Sequence, residues 1–299
     1  VLVSNGSSLL LYLAIRILAP PGSQVILTDP CYACYENVVR LAGAEPVMIK
    51  LRHEDGFQLN VDDLKKRVTP KTRAMLINSP MNPTGVVFSS EVMTALAELD
   101  IPIISDEIYA DLSFEDPPCS FLSYSPQTVA IHGFSKSYAM TGWRLGYMIT
   151  PLEWMSAADR LHQNLIISAT EFVQEAGISV LRKSAAYCES MKTEFNRRRL
   201  FVLERMRELG MDLGYTPTGA FYVLYKYRDS GKSSLDLCHE VEEKTGVAIA
   251  PGQIFRLGAE GFVRISYDES MENIDRALNL LALFQPQVKI LAQPLSRLL

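Results

Sequence analysis

The sequence has little that would tie it to a metal, a membrane or a nucleic acid. Of its 299 residues, five are cysteine and four are histidine. Cys31 and Cys34 share a C-x-x-C spacing, but no second cysteine or histidine pair follows at ligand spacing, so no metal is expected. An odd cysteine count (Cys31, Cys34, Cys119, Cys188 and Cys238) in so long a chain argues for reduced thiols and a cytoplasmic setting. A large excess of one charge is missing too. The net charge of -5 offers nothing to nucleic acid or to an anionic membrane. No apolar run reaches bilayer length, no basic cleavable leader opens the chain, and no repeat or low-complexity tract interrupts it. The closing Arg-Leu-Leu is not a peroxisomal address. An initiator methionine is also absent, and Val1 falls inside an apolar, strand-like run, so a fragment, a processed form or a truncated product is expected. What is present is an ordinary globular balance, 48% hydrophobic and 21% charged, with length for one large domain and a smaller one.

The most informative stretch is His132 to Tyr147, HGFSKSYAMTGWRLGY. Lys136 is its only lysine, beside Ser135 and eight residues before Arg144. A lysine amine is a poor nucleophile while protonated, and desolvation or a cationic neighbour lowers its pKa. Lys136 can then form an imine with an aldehyde, while the planar fork of Arg144 binds a phosphate on the same molecule. The aldehyde that carries a phosphate is pyridoxal 5'-phosphate. A protein fixes it by an imine, a phosphate clamp and a partner for the ring nitrogen.

Other segments offer those parts. Val1–Val3 reads as a strand, Ser4–Ser8 as a turn and Leu9–Leu18 as an apolar helix. The unpaired first amides of a helix and the positive end of its dipole receive phosphate. Gly6 allows close approach, and Ser7 and Ser8 add amides and hydroxyls. Tyr32, just past the strand Gln24–Thr28, can stack on a pyridine ring, with Tyr35 as its competitor. The strand Arg73–Ile77 runs into Asn78–Gly85, NSPMNPTG, whose two prolines and glycine fix a turn where ligands of open α/β sheets bind. Asn82 in that turn can donate to a phenolate oxygen. Asp106 ends the short strand Ile101–Ile104, and a carboxylate there is costly to bury unless it pairs with a cation such as a protonated pyridine nitrogen. Tyr109, three residues on, would reach the phenolate oxygen. Arg264 lies on the strand Gly261–Tyr267 and faces away from Val263 and Ile265. Buried arginines hold carboxylates, here either a ligand's or that of nearby Asp268.

The remaining periodicity predicts helices over Tyr35–Gly43, Val61–Val68 (capped by Asn60), Ser89–Leu99, Thr170–Arg182, Ala186–Leu209, Leu235–Thr245 and Met271–Phe284, and one from Thr150-Pro151 to about Leu161. Strands are expected at Glu45–Leu51, Thr128–His132, Leu145–Ile149 and within Pro217–Tyr227. The run Arg197–Arg199 reads as a solvated helix face. The tail after Phe284 stands between disorder and an added helix.

Taken in order, NPTG at Asn82–Gly85, SDEIY at Ser105–Tyr109, SK-SYAMTGWRLGY from Ser135 and FVRIS at Phe262–Ser266 resemble the fold-type I, class I/II aminotransferases that depend on pyridoxal 5'-phosphate. The bacterial aspartate aminotransferase-like branch is the most similar, over almost the whole chain. The resemblance implies an α/β fold. A large domain, residues 1–185, holds a mostly parallel sheet between helices, and a smaller α+β domain, residues 186–299, follows a long connecting helix. It implies that Lys136 is the catalytic lysine, that Tyr32 and Asn82 meet the cofactor ring, and that Arg264, with Asn82, meets the substrate, Arg264 holding the α-carboxylate. The implied reaction moves an amino group from an L-amino acid to a 2-oxo acid. Family members are homodimers with the active site at the subunit interface. They carry a segment before the position of Val1 that supplies part of the small domain and a tyrosine for the neighbouring site. One position departs from the pattern. Many members have a phosphate-binding serine three residues before the lysine, and this chain has Gly133, so Ser135, Arg144 and Gly6–Ser8 are expected to carry the phosphate. Elimination chemistry on the same scaffold, a regulator's effector domain and an inactive truncated homologue remain alternatives.

Overall fold

The structure is a computed structural model that describes residues 1–115, 119–227 and 231–284. The tail expected after Phe284 lies outside the described residues. Strand β1 (Leu2–Ser4) leads into helix α1 (Ser7–Leu18), followed by β2 (Gln24–Asp29), α2 (Tyr35–Leu41) and β3 (Glu45–Lys50). Then come α3 (Val61–Lys65), β4 (Thr72–Asn78), α4 (Ser90–Ala97), β5 (Ile103–Asp106), β6 (Thr128–Gly133) and β7 (Gly146–Ile149). These seven strands form one sheet in the order β1-β7-β6-β5-β4-β2-β3. Neighbours from β3 through β6 run parallel, and β7 is antiparallel to both β6 and β1. The fold is the α/β architecture that the motifs imply.

The parallel strands are continuous apolar runs because helices cover both faces. Val25, Leu27, Leu76, Ile104 and Ile131 pack beneath α1, and Ile26, Met75, Ile77 and Ile103 pack on the opposite face with Leu64, Leu96 and Phe121. Helix α1 is apolar nearly all round and is correspondingly enclosed. Leu10, Leu13 and Ile15 have no exposed surface, which contributes roughly 2 kcal/mol each. Asn60 caps as read from sequence, accepting from the Asp63 amide, and Ser89, expected inside the next helix, caps it instead by accepting from the Val92 amide.

Helices α5 (Leu152–Ile166), α6 (Glu171–Lys183) and α7 (Ala185–Glu208) lead to a second sheet. It is built from β8 (Tyr222–Lys226), β9 (Ala250–Pro251) and β10 (Phe262–Ser266), with α8 (Ser234–Thr245) and α9 (Met271–Ala282) between and after them. The order is β8-β10-β9, all antiparallel. Val223, Val263 and Ile265 face α7, α8 and α9. Leu224 and Phe262 point the other way into the core of the large sheet. Arg264 is paired with Leu224 and shares the parity of Phe262, so it is turned toward the large sheet.

Three readings need correction. Pro102 delays β5 to Ile103, because proline has no amide to donate to the ladder. The two-residue strand β9 was not expected. The Arg197–Arg199 run is not a uniformly solvated face. Arg197 is exposed, but Arg199 is buried, with Nη1 donating to Glu115 Oε1 and to the Pro217 carbonyl, each at 2.8 Å. Consecutive helical residues are turned about 100° apart, so three in a row cannot share one face. No described helix is long and apolar enough to cross a membrane. Among the described residues, no group of three or more His, Cys, Asp or Glu side chains could hold a metal ion.

Candidate active site

The carboxyl ends of β4 and β5, the chain just past β6, the first turn of α1 and two strands of the small sheet converge on a cavity of about 220 Å³. A larger one, about 410 Å³, is lined without any lysine, arginine, histidine or acid. The smaller cavity brings Lys136, Asp106 and Arg264 together, which makes it the candidate site.

Asp106 ends β5 and is buried. Its Oδ2 accepts the Tyr35 hydroxyl at 2.6 Å and its Oδ1 accepts the Ile108 amide at 3.2 Å. Burial pushes its carboxyl up to about 6, against the opposing pull of the Tyr35 bond, the Ile108 amide and His132. Asn78, opposite Asp106 on β4, donates to the Asp106 carbonyl at 2.9 Å and accepts the Asn82 amide at 2.8 Å. That pair of bonds fixes the proline turn. Asn82 Oδ1 then accepts Arg264 Nη1 at 3.1 Å. The Arg264 guanidinium lies 4.4 Å from the Tyr222 ring centre and 5.0 Å from that of Phe255, and its buried Nε has no partner. Among the described residues no ion pair joins it to Asp268, whose carboxylate accepts from Ser266 Oγ at 2.8 Å.

Lys136 Nζ lies 5.5 Å from the Phe221 ring centre and 5.9 Å from that of Tyr109. Burial lowers its pKa, Asp268 opposes this, and Arg264 and Arg144 add to it. Tyr109 Oη and Tyr222 Oη are 3.0 Å apart, and burial pushes the Tyr109 phenol well above its usual range. Tyr32 lines the cavity edge-on to Tyr35, with ring centres 5.4 Å apart. Its phenol is pushed up to about 12 by a bond with Cys34 and then by burial.

Ser7 and Ser8 line the cavity. Gly6 and Arg144 form its rim rather than its wall. Gly6 has φ 87°, and a Cβ there would stand 2.6 Å from Arg144 Nη2, so the guanidinium packs directly on the glycine. Arg144 also donates to the Thr141 carbonyl at 3.1 Å. Ser135 is not part of the lining, and its carbonyl accepts the Thr141 hydroxyl at 2.9 Å. Ile108 occupies the space above Gly133: a Cβ on Gly133 would meet Ile108 Cδ1 at 2.5 Å.

Behind Asp106, Glu107 is buried. Its Oε1 accepts from Ser105 Oγ, Ser120 Oγ and the Phe121 amide at 2.8–3.0 Å, and its Oε2 lies 3.0 Å from His132 Nε2. Burial works to raise the Glu107 pKa, but His132 and these donors outweigh it and hold it low.

Sequence reasoning missed Tyr35 as the Asp106 partner, and Asn78, Tyr222, Ile108 and Leu11 as lining. Asn78 opens the NSPMNPTG turn and Ile108 lies inside SDEIY, so position alone could have flagged both. Nothing local distinguishes Tyr222 from the other tyrosines of its strand.

A buried acid, a lysine of lowered pKa and an arginine with an unpartnered buried nitrogen suit a cationic ring, an aldehyde and a carboxylate respectively. The pattern of the family described as Aminotransferase class I and II matches residues 1–281. A putative aminotransferase of Bacillus subtilis, YugH, is 37% identical over 284 residues, covering 93% of this chain and 73% of that protein. The structure of Thermus thermophilus aspartate aminotransferase with maleate aligns with a TM-score of 0.89 at 34% identity, over 94% of this chain and 75% of that one. An aromatic aminotransferase from Pyrococcus horikoshii OT3 aligns with the same TM-score at 33% identity, over 94% and 78%.

Proposed function

The chain belongs to the class I and II aminotransferases, and from that membership we propose that the cavity around Lys136 is its active site, with pyridoxal 5'-phosphate as cofactor. Family members are generally dependent on that cofactor, and the residues present fit it. Asp106 is a buried acid with room for a cationic ring nitrogen, Gly6 gives the close backbone approach that a phosphate needs, and Arg144 stands over it. When bound, pyridoxal 5'-phosphate supplies the electron sink that lets a substrate Cα–H bond ionise.

Every other role falls to the chain. Arg264 takes the α-carboxylate through its fork, with Asn82 and the Tyr222 ring holding the guanidinium in place. Lys136 would hold the cofactor and, when its amine is free, would take a proton from the substrate α-carbon and return one to the reacting centre. Its lowered pKa makes the neutral amine available for that work. Asp106 holds the proton on the ring nitrogen. Tyr32 would cover the cofactor ring, and Tyr109 and Asn82 would hold its oxygen. Ser7, Ser8, Gly6 and Arg144 form the phosphate clamp, with Ser135 outside the lining. A division near residue 185, ahead of α7, separates the cofactor-binding part from the small α+β part. Free cysteines support a cytoplasmic setting, and a homodimer completes the assembly.

The observation that carries this reading is the convergence of Lys136, Asp106 and Arg264 in one cavity. Purified protein loaded with pyridoxal 5'-phosphate should show a visible absorbance band that an amino acid bleaches and a 2-oxo acid restores. Lys136→Ala should lose both the band and turnover. A band unchanged in Lys136→Ala would sink the assignment. A 2-oxo acid released with ammonia in the absence of any acceptor would replace transfer by elimination. The two aligned structures are an aspartate and an aromatic aminotransferase, so a panel of donors is the right probe.

A further inference from the structure

The Arg264 guanidinium and the Tyr109 hydroxyl serve two ends of the proposed site, and Tyr222 touches both. Its ring face lies under Arg264 at 4.4 Å, and its hydroxyl is 3.0 Å from that of Tyr109. The register explains the double contact. Tyr222 pairs with Ser266, two residues along β10 from Arg264, so the tyrosine lies diagonally across from the arginine on the same face. The Tyr109 and Tyr222 rings meet edge to face with centres 5.7 Å apart, and Phe221 packs on both. Tyr222 is 5% exposed and enclosed by this cluster.

We propose that Tyr222 is a positioning residue that links the carboxylate end of the site to the cofactor-oxygen end. Its ring steadies Arg264, and its hydroxyl donates to Tyr109 so that Tyr109 aims its own proton into the cavity. This rests on the reading of the cavity as a cofactor site. Either hydroxyl could donate at this distance, and the cation stacked on the Tyr222 ring favours Tyr222 as the donor. Burial raises both phenols, but the Tyr109 bond and the stacked Arg264 work against the rise at Tyr222, whereas Tyr109 is held well above its usual range. Between two hydroxyls the more acidic is the better donor. A hydroxyl that accepts one bond also donates more strongly through its own proton. Occupation of Arg264 by a carboxylate would neutralise the charge over Tyr222 and weaken its donation. Binding at one end would thereby be felt at the other.

The two contacts separate by substitution. Tyr222→Phe keeps the ring and loses the hydroxyl, and Tyr222→Leu loses both. The readouts are the pH titration of the absorbance of bound pyridoxal 5'-phosphate, with no substrate present, and the steady-state constants. With Tyr222→Phe, the ring oxygen loses part of its hydrogen bonding. The titration midpoint should rise by roughly half to one unit, while the amino-acid KM moves less than about twofold. With Tyr222→Leu the midpoint should rise similarly and KM should increase by about tenfold, because Arg264 loses its stacking face. In a Tyr109→Phe background, Tyr222→Phe should add no further shift. A midpoint that stays put or falls in Tyr222→Phe, or one that shifts fully in the Tyr109→Phe background, overturns the link. Wild-type protein with no cofactor band fails at an earlier step, the reading of the cavity itself, and the role of Tyr222 falls with it. Near-UV circular dichroism of each variant separates loss of fold from loss of the contact.

Discussion

Asp106 holds its position against the cost of burial. In the protein without cofactor, its carboxyl rises from 3.8 to about 6 because desolvation disfavours the anion. The folded-state value lies above the unfolded one, so between these pH values the folded chain holds a proton that the unfolded chain has lost. Stability from this group is therefore lost as pH rises through the window from about 4 to 6. Asp106→Asn cannot ionise and escapes the loss. The stability of Asp106→Asn relative to wild type, both without cofactor, should increase by about 2 kcal/mol from pH 4 to pH 7. Urea unfolding at a series of pH values reads it, and a difference that is flat or falls with pH would show an anion already stabilised by Tyr35 and Ile108. The residues legible in the sequence are those whose type is rare inside proteins. Lys136, Asp106 and Arg264 could be argued from the charge that each would have to satisfy. Tyr35 and Tyr222 could not, because a tyrosine is as much at home in a core as in a site, and only the fold brings their hydroxyls to Asp106 and Tyr109.

At the scale of elements, the ends of β5 and β6 fit together through a substitution pair. Ile108, past the end of β5, fills the space over Gly133 at the end of β6, leaving 2.5 Å between its Cδ1 and any Cβ built there. Gly133→Ser should therefore destabilise the protein by roughly 1–3 kcal/mol through overpacking, although serine is common at this place in the family. Ile108→Val removes the obstructing methyl and should relieve most of that loss. Chemical denaturation of the two single variants and the pair should give a coupling of about 1 kcal/mol or more, and additive effects would rule the steric account out. The departure at Gly133 was visible in the sequence, but its compensation was not, because Ile108 and Gly133 are twenty-five residues apart and meet only through strand pairing. The elements themselves were legible to within a few residues, since parallel strands are apolar runs and α3, α4, α8 and α9 open on capping serine or asparagine side chains. The missed strand β9 is two residues long, too short for any periodicity.

At the scale of the molecule, the phosphate end of the proposed site opens onto apolar surface. Thr170 N–H, in the connection between α5 and α6, donates to Asn5 Oδ1 at 3.2 Å, which holds that connection beside Gly6. In the chain either side of Thr170, Leu165 is 50% exposed, Ile167 80% and Phe172 70%, and Trp143, adjacent in sequence to Arg144, is 49% exposed. Ile167 is also a β-branched residue held at φ 67°, a strained conformation that persists only when its surroundings impose it. Several large apolar side chains left exposed in segments next to a site point to an interface rather than a solvent-facing surface. A second copy of this chain is the occupant that the proposed homodimer supplies, and its docking would seal the rim formed by Gly6 and Arg144. An exposed phenylalanine contributes little to a lone chain, so Phe172→Asp should change monomer stability by no more than about 0.5 kcal/mol. In a dimer the same change buries an unpaired charge. Sedimentation velocity at micromolar concentration should accordingly show a dimer for wild type and a shift toward monomer for Phe172→Asp. Cofactor affinity, read by absorbance titration, should weaken in step with the loss of dimer. A wild-type protein that sediments as a monomer, or a Phe172→Asp variant that stays dimeric with unchanged cofactor affinity, would place the subunit contact elsewhere and leave the rim to be closed by the chain's own residues.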